Sequence, residues 1–113
     1  MEITKREKGE VTILDIKGKM ALGYNEGALR EEIEDLLKEG KRKIIINLSE
    51  VSYMDSTGVG ELVSSFREAK NREAVIKIIK VGNKVYRTLT IMKLLPIFEV
   101  FSSEEEALKS FAK

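Results

Sequence analysis

Asp55-Ser56-Thr57-Gly58-Val59-Gly60 is the stretch of this chain whose residue types and spacing could do chemistry. A carboxylate followed by two hydroxyls offers a nucleophile, a phosphoacceptor, or no more than a helix cap. Asp, Ser and Thr are preferred N-caps, worth about 0.5–2 kcal/mol without any further role. Capping alone does not account for Gly58 and Gly60, because each glycine in a first helical turn costs up to about 1 kcal/mol relative to Ala. Removing two Cβ atoms beside two hydroxyls lets another molecule approach the backbone. Asp55, Thr57, Gly58 and Gly60 are therefore read as a contact surface. Replacing either glycine by Ala is expected to leave the fold intact, or to stabilise the helix slightly, while weakening a partner.

The rest of the composition narrows the chemistry. The 113 residues contain no His and no Cys. That removes the commonest general base, thiolate nucleophiles, disulfides and Cys-based zinc sites. A Ser-His-Asp arrangement cannot be assembled, and any metal would rest on carboxylates alone. Lys and Arg number 20 against 19 Asp and Glu, a formal net charge of +1. That balance gives no global pull toward nucleic acid or membrane surfaces, so neither is expected as a partner. Apolar runs fall far short of the ~20 residues that span a bilayer. Met1–Glu10 is charged and lacks the apolar centre of a signal peptide, so a cytoplasmic protein is expected.

The elements that must position the motif follow from hydrophobic period. Glu2–Glu7 and Val11–Ile16 read as strands joined by the Lys8-Gly9-Glu10 turn. A glycine-punctuated loop, Gly18 to Asn25, leads to a helix over 26–39 carrying Leu29, Ile33, Leu36 and Leu37, with Gly40 suited to its C-terminal cap. Lys43–Leu48 holds Ile44-Ile45-Ile46, a run typical of a strand buried on both faces. Ser49–Asp55 reads as a loop, and a second helix starts near Ser56 with Val59, Leu62, Val63 and Phe66 inward. Ala74–Val81 is a strand, Val85, Leu89 and Met92 mark a third helix ended by Pro96, and Ile97–Phe101 is the last strand. Ser103 and Glu106 have capping-box spacing ahead of a final helix with Ala107, Leu108 and Phe111 inward. The order β-β-α-β-α-β-α-β-α demands a mixed, mostly parallel sheet with helices packed on it, in one α/β domain over 1–113. Loops beyond the carboxyl ends of parallel strands are where such sheets bind, and the motif lies at one of them.

On these residues the chain resembles a known family. Asp55-Ser56-Thr57-Gly58-Val59-Gly60, placed after Leu48-Ser49-Glu50-Val51-Ser52-Tyr53-Met54, is similar to the D-S-[ST]-G-[LV]-G signature of bacterial anti-sigma-factor antagonists, which are built on the STAS domain. The resemblance covers essentially the whole chain. It implies that Ser56 is phosphorylated by a partner that is both serine kinase and anti-sigma factor. It further implies that the unphosphorylated form binds this partner and frees the sigma factor, and that a serine phosphatase resets the switch. No cofactor and no catalytic residue of its own are implied. The sequence departs from the pattern once. Family members often carry an acid three positions after the glycine ending the second strand, whereas Lys19-Met20-Ala21 follow Gly18 here without a carboxylate.

Other readings are weaker. A receiver-type phosphoaspartate at Asp55 would need an acidic pair after the first parallel strand and a Lys after the last, and neither is present. Gly58-Val59-Gly60 lacks the Lys-Ser/Thr of a P-loop and the third Gly of a dinucleotide fingerprint. A STAS-type subunit of another complex, such as a lipid-transport accessory or a stress-signalling scaffold, is the alternative to a free-standing antagonist. Met20, Leu22 and Tyr24 from the loop after the second strand, and Asn83 after the fourth, are expected at the same sheet end as Asp55 and are read as the rim of the partner surface. Leu22 and Tyr24 tucked beneath the first helix is the competing reading.

Overall fold

A computed structural model of the chain describes residues 1–112. Its elements run β1 (Glu2–Lys8), β2 (Val11–Met20), α1 (Ala28–Lys38), β3 (Lys43–Met54), α2 (Ser56–Asn71), β4 (Val75–Ile79), α3 (Asn83–Ile91), a 3-10 turn (Leu95–Ile97), β5 (Val100–Phe101) and α4 (Glu104–Phe111). The five strands lie in the order β1-β2-β3-β4-β5. β1 is antiparallel to β2, and each later neighbour is parallel to the one before. The mixed α/β architecture and the element order expected from the sequence are observed.

Parallel neighbours need crossovers, and α1, α2 and α3 supply them on one face of the sheet. There Leu29, Ile33, Leu36 and Leu37 of α1, Val59 and Leu62 of α2, and Val85 and Leu89 of α3 meet Leu14, Ile16, Ile44, Ile46 and Ile78. On the opposite face α4 alone covers Val11, Ile13, Ile45 and Ile79 through Ala107, with Leu108 and Phe111 packed alongside. Ile44, Ile45 and Ile46 are consequently all fully buried. Such side chains contribute roughly 1.5–3 kcal/mol each on burial. Lys77 also lies beneath α4, where its ammonium donates to Ser110 Oγ and sits 4.3 Å from the Phe111 ring centroid. Ser103 caps α4 by accepting the Glu106 N–H at 3.1 Å, as the capping-box spacing requires.

Several boundaries differ from the sequence reading, each for a local reason. α3 does not run to Pro96. Lys93 takes the left-handed conformation (φ 57°), its N–H bonds to Thr90 O, and the Leu94 N–H bonds to Leu89 O, a Schellman ending that stops the helix first. Met92 is therefore an exposed cap residue and not part of a core face. Pro96, which has no N–H to give a ladder, sits in the 3-10 turn and shortens the last strand to Val100–Phe101. The largest difference is at β2 and β3. Both continue as strands, to Met20 and Met54, through segments whose glycine and polar residues read as loop.

Candidate functional site

The extension of β2 and β3 builds the site. β4 pairs with β3 only as far as Asn47, so the remainder of β3 pairs with β2 alone. This two-stranded ribbon contains two register irregularities, and Gly18 adopts φ 101°, which a side chain would resist. Its last pair is Met20 with Met54, both buried. The ribbon brings the Met20 carbonyl against the start of α2, where it accepts the Asp55 N–H at 3.2 Å.

Asp55 has extended backbone and caps α2. Its Oδ1 accepts the N–H groups of Thr57 at 2.9 Å and Gly58 at 3.2 Å, two of the donors every helix leaves unpaired at its start. Its Oδ2 accepts the Leu22 N–H at 3.1 Å, 33 residues away in sequence. One carboxylate thus caps the helix and fastens the β2–α1 loop to it. The Leu22 N–H, joined by those of Gly58 and Thr57, holds this carboxyl below the usual carboxylate range.

Ser56 is exposed at the first position of the 16-residue helix, whereas Thr57 is half-buried and faces a cleft shared with Gly27, Arg30, Gly60 and Glu61. The two hydroxyls, barely distinguishable by residue type, differ in access. The two glycines differ as well. A Cβ on Gly60 would meet nothing within 4 Å, so that backbone stands open. A Cβ on Gly58 would lie 2.1 Å from the Met20 carbonyl oxygen. The close approach that Gly58 permits is therefore intramolecular. Gly58 is buried and belongs to the scaffold, not to a contact surface, and the expectation that its replacement spares the fold is corrected.

Among the expected rim residues, Met20 is fully buried, and its assignment to the partner surface is corrected too. The strand alternation that sends Met54 inward sends its ladder partner Met20 inward with it. Leu22, 67% exposed, and Tyr24, 45% exposed, stand out from the loop and do not tuck under α1. The loop is held by a turn from Ala21 O to the Tyr24 N–H and by Glu26, whose carboxylate accepts the Gly23 N–H at 2.6 Å. Asn83 is exposed at the start of α3, beyond the carboxyl end of β4.

Two residues at this end escaped the sequence reading. Tyr53, 48% exposed, directly precedes the Met54-Asp55 junction. An aromatic set between Ser52 and Met54 just ahead of the motif was its sequence signal. Glu61 of α2 is buried and accepts the Leu29 N–H at 3.3 Å, near the start of α1, whose own N-cap, Gly27, has no side chain to offer. An acid on the second turn of α2 thereby pins α1 to it, a contact between helices that no local spacing announces.

With this geometry in place, comparison with known proteins is informative. The family model described as STAS domain matches residues 2–107, and the chain belongs to that family. The anti-sigma-B factor antagonist of Listeria monocytogenes is 31% identical over 107 residues, covering 94% of this chain and 91% of that one. An anti-sigma factor antagonist from Mycobacterium paratuberculosis is similar in structure, with TM-score 0.86 at 16% identity over 99% of this chain and 94% of that one. The Bacillus cell fate determinant SpoIIAA in its phosphorylated form superposes with TM-score 0.74 at 20% identity, covering 97% and 99% of the two chains. Its unphosphorylated form gives the same TM-score and identity, with 98% of each chain covered. No helix among the described residues is long and apolar enough to cross a membrane.

Proposed function

We propose that this chain is an anti-sigma-factor antagonist switched by phosphorylation of Ser56. Unphosphorylated, it binds an anti-sigma factor that is also a serine kinase, and the sigma factor is released. The kinase transfers the ATP γ-phosphoryl group to the Ser56 hydroxyl, the antagonist dissociates, and a serine phosphatase resets it. ATP, Mg²⁺ and catalysis come with the partners.

The observation that carries this reading is the exposure of Ser56 at the start of α2, beside the open backbone of Gly60, while Thr57 is turned into a cleft. Asp55 is engaged by three backbone N–H groups, which commit both of its oxygens to capping and tethering and not to attack as a nucleophile. Its place is to orient the helix start and meet the partner. The names of the relatives support the same reading. So does the likeness of the backbone to both forms of SpoIIAA, which favours a switch without refolding.

The test uses Ser56→Ala as bait in a lysate of the source organism, followed by phosphorylation of the wild-type chain with the captured kinase and ATP. One phosphate at Ser56 and none on the variant are expected. Phosphate on Thr57 in the wild-type chain, or capture of a transporter complex with no kinase, would overturn it.

A further inference from the structure

The ribbon that presents Asp55 has a second face. Met20 and Met54 point into the core, so Lys19 and Tyr53, the pair before them in the ladder, point the other way. α4 covers that face only over Val11, Ile13, Ile45 and Ile79, and the residues of the ribbon beyond, Lys17, Lys19, Ser49, Glu50 and Tyr53, are exposed. Tyr24 joins this surface from the loop, its ring centroid 5.1 Å from the Lys19 ammonium.

Charge on this face is unevenly matched. Lys17 has Glu50 opposite it in the ladder, whereas Lys19 has Tyr53. Lys19 takes part in none of the ion pairs among the described residues. The carboxylates of Asp55 and Glu26, at either end of the loop contact, are occupied by backbone N–H groups, Asp55 by Leu22 and Glu26 by Gly23. Two half-exposed tyrosines on a strand pair and a tethered loop are a rigid aromatic surface of the kind protein interfaces favour, and the cation between them adds charge selectivity. Because the loop is already held by its hydrogen bonds, docking there loses little conformational freedom.

We propose that the partner footprint continues from Ser56 over the outer face of the ribbon, where Lys19, Tyr24 and Tyr53 receive an acidic segment of the partner protein. This rests on the reading that the Ser56 end docks on an anti-sigma-factor kinase. Lys19 sets specificity by demanding a carboxylate from whichever kinase binds.

The experiment titrates the isotope-labelled chain with the kinase captured by Ser56→Ala and measures affinities for wild type, Lys19→Glu, Tyr53→Ala and a distant control, Lys70→Glu. Amide shifts are expected at residues 17–24 and 53–54 as well as at the start of α2. Lys19→Glu should weaken binding by about tenfold or more, with the deficit shrinking as salt rises, while Lys70→Glu stays within about twofold. Wild-type binding with shifts confined to residues 55–62 and Lys19→Glu unaffected would overturn the footprint alone. No binding by the wild type would overturn the antagonist reading and the footprint with it. Should Tyr53→Ala melt early, the wild-type shift map decides.

Discussion

Replacing Gly58 and Gly60 separately by Ala should have opposite effects on stability, although both lie in the first turns of one helix. At Gly58 the new methyl would sit 2.1 Å from the Met20 carbonyl oxygen and 2.8 Å from the carbonyl carbon and from Met20 Cβ. The oxygen cannot swing aside freely, because it accepts the Asp55 N–H and belongs to a strand whose side chain is fully buried. Overpacking of this kind costs about 1–3 kcal/mol. Parting Met20 from Asp55 adds about 1–3 kcal/mol for a hydrogen bond broken in a dry place. Against this stands at most about 1 kcal/mol gained in helix propensity. A net loss of about 1–5 kcal/mol follows, or roughly 4–20 °C in Tm at about 4 °C per kcal/mol for a chain of this size. At Gly60, with nothing within 4 Å, only the propensity gain remains, so Tm should hold or rise by up to about 4 °C. Scanning calorimetry on the two variants measures the contrast, and faster hydrogen exchange at the Asp55 amide in Gly58→Ala locates it. Equal melting of the two variants, at or above wild type, would refute the account of how α2 abuts the ribbon.

Asp55→Ala should speed hydrogen exchange at Leu22 as well as at Thr57 and Gly58, since one carboxylate accepts all three N–H groups, and unchanged exchange at Leu22 would refute the latch. Arg6 donates to Asp15 and to Glu104 and holds both carboxyls below their ordinary range. Groups depressed in the folded state stabilise it above their unfolded pKa values and lose that contribution as pH falls through the folded ones. Acidification below pH ~4 should thus lower Tm more in wild type than in Arg6→Met, and parallel acid profiles for the two proteins would contradict this.

The element order and the helix faces were legible because hydrophobic period reports burial directly. Ile44-Ile45-Ile46 announced a strand covered on both sides, and Ser103 with Glu106 announced a helix start. The ribbon was not legible. Lys17, Gly18, Lys19, Ser49, Glu50 and Ser52 are polar or glycine because the outer face is bare, and around the lone apolar Val51 such residues look the same in a loop as on an uncovered strand. The end of α3 was missed because a Lys, not a Gly, takes the left-handed position at residue 93. At the site, the motif located the helix start and the phosphoacceptor candidate. It did not separate the two glycines, since whether a missing Cβ serves the chain itself or another molecule depends on what lies opposite. Here that is Met20, a residue brought in by the ribbon.

The same ribbon bears on how a phosphate at Ser56 would act. The group carries about −1.5 to −2 charges at neutral pH. At the start of α2 the helix dipole favours it by roughly 0.3–1 kcal/mol even though Asp55 already takes the Thr57 and Gly58 N–H groups, so the fold should tolerate it. Asp55 cannot turn away from the new charge without releasing Leu22, Thr57 or Gly58. Two acidic groups are thereby held side by side where the partner must strip both of water. A penalty of ~3–4 kcal/mol would weaken binding a few hundredfold, since each ~1.4 kcal/mol is tenfold. The strain has one soft outlet, the Leu22 bond, which lies at the surface and tethers only a loop. Phosphorylation should therefore shift amides at residues 53–62 and 20–24 and leave β1 and α4 undisturbed, with melting nearly unchanged. Ser56→Asp, carrying about half the charge, should reproduce the weakened binding in part. Widespread amide shifts reaching α4, on the far face of the sheet, would sink local repulsion in favour of a rearrangement of the whole sheet.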